Sequence, residues 1–181
     1  MFALVLSFAS CDLDRFPEDK VSTPTFWKSE NDVRLALMGC YSYVPTSVYD
    51  AYEDGNADNA YCQYPWESNA TSISSGSINN DLSDDYGFQG IRRFNYFLDN
   101  VDKSPISDQL KARYKAEVRV LRAWRYFDLA NKFGAIPLIT KSISEAAEAA
   151  IAPTAEGDVI KFVLKELDES IPSLPEKPEY R

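Results

Sequence analysis

A mainly α-helical fold is predicted by three features of the sequence. Apolar residues recur at three- and four-residue spacing in four stretches, those stretches are bounded by capping residues, glycine or proline, and no segment alternates apolar with polar residues convincingly enough to read as a strand. Paired helices are the architecture that such a pattern builds. With 181 residues, 45% hydrophobic and 26% charged, the chain can bury a sizeable core and is not disordered by composition.

The first segment, "MFALVLSFASCDLD", is a short apolar run that stops at a cysteine followed by acids. It is far shorter than the roughly 20 residues that cross a bilayer. Residues 1–10 read instead as the core and cleavage site of a secretory signal, with Ala9 and Ser10 as the small residues before Cys11. "FASC" fits a lipoprotein cleavage pattern, in which the Cys11 thiol takes a diacylglyceryl group and further acylation by a chain such as palmitate gives stable anchoring. No Lys or Arg precedes the apolar run, which predicts that the signal begins upstream of Met1.

Residues 11–28 read as a polar, extended, lipid-anchored arm, and residues 29–181 as helical domain. Ser29 with Asp32 forms a capping signal, and Val33, Leu37, Cys40, Tyr41 and Val44 repeat at helical spacing before Pro45, so a helix is expected over about 30–44. Residues 45–82 are rich in Ser, Asn, Asp and Gly and predict a long loop, of a length that is usually functional. A second helix is expected over about 83–102, with Gly87, Ile91, Phe94, Leu98 and Val101 on one face. The third, about 107–133, carries apolar residues around most of its circumference and so should be buried on more than one side. Gly134 reads as its left-handed cap and Pro137 forbids continuation. "SISEAAEAAIAP" reads as a surface connection with a helical turn or two. The last helix is expected from Thr154 as cap to about Ile171, with Val159, Ile160, Val163, Leu164, Leu167 and Ile171 inward, before a proline-rich exit.

Composition narrows the chemistry. A net charge of −9 argues against nucleic acid, whose phosphates require clustered Lys and Arg. The chain has no histidine, which removes Ser-His and Cys-His catalysis and histidine metal sites. Cys11, Cys40 and Cys62 match no zinc spacing. Cys40 and Cys62 could close a loop of about 22 residues, worth roughly 3 kcal/mol in the entropic picture, but a buried free thiol is the commoner state and is the reading preferred.

The loop "YDAYEDGNADNAYCQYPW" interleaves aromatic rings with Asp and Asn. Sugar rings stack their C–H faces on Trp and Tyr while their hydroxyls bond to carboxylates and amides, so Asp58, Asn59, Tyr64 and Trp66 are candidate ligand-binding residues; inward packing of the same rings is the alternative. "DGNADN" lacks the bidentate Glu of a calcium loop, and "NAT" at Asn69 is only formally a glycosylation acceptor. Glu117 and Asp128 could be imagined as a glycosidase pair, but eleven residues of helix separate them by about 16 Å, beyond the roughly 5–10 Å required. Ion pairs tying helix to helix are the better reading of Glu117, Arg119, Arg122, Arg125 and Asp128.

Together these segments resemble the SusD/RagB family of outer-membrane nutrient-binding lipoproteins. The most specific stretch, "AEVRVLRAWRYFDLANKFGAIPLI", is similar to the family's central block, with Glu117, Leu121, Arg122, Ala123, Tyr126, Phe127, Leu129, Phe133, Gly134, Pro137 and Leu138 on its positions. "CDLDRFPED", "FWKSENDVRLALMGCYSYV" and "VIKFVLKELDESIPSLP" resemble the family's start and flanking helices, Glu166 and Ser170 standing where Asp and Ala are usual. The resemblance implies tetratricopeptide-like helix pairs with long loops and a non-enzymatic surface lipoprotein of the outer membrane, with no cofactor or metal. Such a protein captures glycan and passes it to a SusC-like TonB-dependent transporter. It also implies that this sequence is an N-terminal portion of a chain about three times longer. A peptide-binding lid of the same transporter, a helical-repeat adaptor and, less readily, a glycoside hydrolase are the alternatives.

Overall fold

The computed structural model describes residues 26–44, 54–58, 60–64, 69–77, 87–143 and 150–177. Among them the chain is helical, with one isolated antiparallel bridge and no strand. The helices are α1 (Glu30–Tyr41), α2 (Ala70–Ser74), α3 (Gln89–Asn100), α4 (Asp108–Phe133) and α5 (Glu156–Ser170). Short 3-10 turns, Val101–Lys103 and Ile171–Ser173, extend α3 and α5. No helix among the described residues is long and apolar enough to cross a membrane.

Helix α1 starts where its capping box dictates. The Asp32 N–H donates to Ser29 Oγ at 3.2 Å and the Ser29 N–H to Asp32 Oδ2 at 2.8 Å, satisfying two donors that a helix start leaves open. Val33, Leu37 and Cys40 are buried as expected, whereas Tyr41 and Val44 stay at the surface. The helix ends at Tyr41, before the predicted limit, and three turn residues follow it. Phe26 and Trp27, read as the end of the arm, are packed instead against the core. Trp27 is buried, its ring 5.6 Å from Phe97 and 6.2 Å from Tyr96.

Helix α3 begins later than the sequence suggested. Gly87 and Phe88 precede it, and the Gly87 carbonyl accepts a hydrogen bond from Arg125 Nη2 at 3.1 Å. A short helix, α2, lies inside the segment read as loop. The connection predicted at residues 142–153 falls partly outside the described residues.

The 26 residues of α4 span about 39 Å. This helix packs against α1, α3 and α5, which explains its apolar circumference. Pairings along α3 fall as those along α4 rise (Gly87 with Arg125, Asn95 with Arg122, Asp102 with Lys115), so the two run antiparallel. The same holds between α4 and α5, where Arg119 meets Glu169, Arg122 meets Glu166 and Tyr126 meets Phe162.

Two cores form along α4. One gathers Trp27, Val33, Leu37, Cys40, Phe94, Phe97, Val101, Tyr114, Val118 and Leu121; the other gathers Ile91, Ala123, Tyr126, Leu129, Ala130, Ile136, Val159 and Val163. Cys40 and Cys62 are free, and burial raises the Cys40 thiol to a pKa of about 12.

Gly134 ends α4 with φ +71 and ψ −115, a glycine-favoured conformation but not the left-handed helical one expected. Thr154 is not the cap of α5. Its N–H and C=O exchange hydrogen bonds with Ile136 at 2.8 and 3.1 Å, and Ala155 takes the cap position without a side-chain bond. Leu164 and Ile171, expected inward, are exposed.

Candidate ligand-binding site

Beyond Ile136 the chain has no regular secondary structure and no strand beside it among the described residues, so its backbone groups need side-chain partners. They have them. Tyr126 Oη donates to the Ile139 carbonyl at 2.8 Å and accepts from the Ile139 N–H at 2.7 Å. Asn95 Nδ2 donates to the carbonyls of Ile139 and Lys141, at 2.9 and 3.1 Å, and Arg122 Nη1 donates to Thr140 at 3.2 Å. Arg122 in turn donates to Asn95 Oδ1 at 2.7 Å and, through Nη2, to Glu166 Oε2 at 2.5 Å. Arg119 donates to Glu166 Oε1 at 2.8 Å and also pairs with Glu169. Arg122 and Glu166 are both about 6% exposed or less, so these are buried ion pairs of the helix-tying kind expected. Burial raises the Tyr126 hydroxyl to about 12 and keeps it a neutral donor.

This clamp fixes segment 139–143 beside α3 and so builds one wall of a cavity of about 660 Å³. The other walls are Tyr43, just beyond α1, and Gln89, Arg92, Arg93 and Tyr96 on α3; Ser142 and Ile143 complete it. Tyr43 stands edge-on to Phe94 with ring centroids 6.3 Å apart. It can lie that close because Gly90 has no side chain: a Cβ there would come within 3.3 Å of the Tyr43 Cβ. Tyr96 leans on Trp27 at its back. The Ser142 N–H donates to Asp99 Oδ2 at 2.7 Å, while its hydroxyl oxygen is buried with no hydrogen-bond partner among the described residues. Volume, two phenolic rings and a few polar groups are the ordinary make-up of a small-ligand site.

The residues proposed from the sequence are placed elsewhere or not described. Asp58 is exposed, and Tyr64, 42% exposed, accepts a hydrogen bond from Gln63 Nε2 at 3.1 Å. Asn59, Trp66 and Cys11 lie outside the described residues. The cavity residues were missed because no two of its three walls are close in sequence; the one legible signal was an Arg-Arg pair in an acidic chain. Glu117 and Asp128 form no catalytic pair. Glu117 accepts from Tyr41 Oη at 3.0 Å and Arg113 Nε at 3.1 Å, and Asp128 from Arg125 Nη1 at 2.7 Å. No group of three His, Cys, Asp or Glu side chains suited to a metal occurs among the described residues.

Residues 13–181 match the sequence model of a family, SusD-like_3, described as starch-binding and associating with the outer membrane. Two relatives from Formosa agariphila, the SusD-like proteins P38 and P25, are 25% and 27% identical over 92% and 91% of this chain. The chain spans about a third of their length, 34% and 35% respectively. Among solved structures, a SusD-like protein of Bacteroides fragilis superposes with a TM-score of 0.76 at 20% identity, over 91% of this chain and 33% of that one. A laminarin-binding SusD-like protein superposes with a TM-score of 0.67 at 26% identity, over 82% of this chain and 35% of that one.

Proposed function

The chain belongs to the SusD-like family, and from that premise we propose that it is a non-catalytic, surface-exposed lipoprotein of the outer membrane that captures glycan and passes it to a SusC-like TonB-dependent transporter. The observation that carries the binding half of this reading is the cavity between Tyr43, α3 and segment 139–143. It offers ring faces for a sugar's C–H surface and amide, hydroxyl and guanidinium donors for its oxygens. The laminarin-binding neighbour lends support, since that protein shares the fold and is named for a glycan. Asp58, Asn59, Tyr64 and Trp66 are proposed as a further contact surface, and Cys11 as the lipidated residue.

Affinity electrophoresis of the purified protein against a panel of polysaccharides tests the reading. Retardation by at least one glycan, weakened by Tyr43→Ala, supports capture at the cavity; a further loss on Trp66→Ala extends the site to the loop. No retardation by any glycan, with binding to a peptide or to the transporter alone, moves the function to peptide uptake or to a lid. Incorporation of a palmitate analogue in cells, abolished by Cys11→Ala, tests the anchor.

A further inference from the structure

We propose that the cavity selects a negatively charged glycan, with Arg92 and Arg93 receiving a uronate carboxylate or a sulfate ester; this rests on the glycan reading above and deepens it. Across α4 and α5 the cations face carboxylates, as in Arg119 and Arg122 with Glu166, Arg125 with Asp128 and Lys161 with Asp158. Arg92 and Arg93 differ: both are exposed, both line the cavity, and neither guanidinium has an ion-pair partner among the described residues. Successive helical residues diverge by about 100°, so two such neighbours line one cavity only because it wraps around the first half of α3. Gln89, also on the lining, adds an amide.

The charges decide the ligand class. A neutral sugar covering the cavity would remove water from two guanidinium groups and return no opposite charge, which is costly. An oxyanion returns that charge, and guanidinium forks meet a carboxylate or sulfate with paired, charge-assisted bonds. Among the described residues, Asp99 is the acid bonded to the cavity's 142–143 wall. Its carboxylate is directed onto the Ser142 N–H, so the two arginines outnumber it.

The test is affinity electrophoresis of the purified protein against polygalacturonate, dextran sulfate, laminarin and dextran, at low and at physiological salt. Expected is retardation by polygalacturonate or dextran sulfate, whichever acid the site takes, at least about tenfold stronger than by either neutral polymer and weaker at higher salt. Arg92→Gln with Arg93→Gln should remove that preference, Arg92→Lys with Arg93→Lys should keep part of it, and Lys161→Gln on α5 should leave it unchanged. Both arginine side chains are exposed and have no ion-pair partner among the described residues, so their replacement should leave the fold intact, which circular dichroism checks. Equal retardation by neutral and acidic polymers, or an acidic preference that survives the double Gln variant, overturns the inference and leaves glycan capture standing. No retardation by any polymer overturns both.

Discussion

The two cores along α4 are held by different physics. The first is apolar and aromatic: Trp27, Phe94 and Phe97 fill it with Val33, Leu37 and Val118, and among the described residues it gathers no charged side chain. The second surrounds Tyr126 with small and branched residues and is flanked by the Arg122–Glu166–Asn95 clamp. The reason is the backbone beside it. Helices satisfy their own peptide groups, so the first core is built largely of hydrocarbon, whereas the irregular segment after Ile136 pairs with no strand among the described residues and borrows donors and acceptors from side chains. Where polar groups have to be buried, the protein buries a connected set of them. The difference teaches why α4 holds Arg122 and Tyr126 among its hydrophobic positions: they serve the peptide groups of residues 139 and 140.

That contrast can be broken from either side. The largest loss is expected from Glu166→Ala, which strands Arg122 in a buried site; urea denaturation should show about 3–5 kcal/mol of lost stability, little relieved by salt. Leu37→Ala in the apolar core should cost about 2–5 kcal/mol, toward the lower part of that range if α1 can settle into the gap, and should leave the 139–143 segment in place by NMR. Tyr126→Phe keeps the ring and removes only the hydroxyl, taking away the acceptor of the Ile139 N–H while the Ile139 C=O keeps its bond from Asn95, for about 1–3 kcal/mol. Ser29→Ala removes a cap at the far edge of the first core and should cost about 1 kcal/mol.

The smallest effect is one of pH. The Arg119 guanidinium holds the exposed Glu169 carboxyl below its ordinary value of 4.5. A carboxyl lowered in the folded state contributes stability above its unfolded pKa and loses it as pH falls through the folded value. Stability should therefore decline slightly below about pH 4.5, and Glu169→Gln should flatten that part of the curve.

Much of the fold was legible because helix ends are written locally. The Ser29 and Asp32 box fixed the start of α1, and Gly134 with Pro137 marked the end of α4. Where the sequence misled, a distant partner had decided the outcome. Thr154 has the chemistry of a cap, yet its backbone pairs with Ile136, eighteen residues earlier. Arg122 was readable as an ion-pairing residue, but its partner Glu166 lies 44 positions on. The cavity was less legible still. Tyr43, Arg92 and Ser142 are ordinary surface residue types, and only the clamp that seats segment 139–143 beside α3 brings them together.

Because α3 and α4 each contribute to both cores, no single cut in this chain leaves both cores whole. Amide hydrogens near Leu121 and Ala123, where the cores meet on α4, should exchange with solvent only through opening of the entire helical array. The described helices should thus melt in one cooperative step, reported identically by probes at either end of α4.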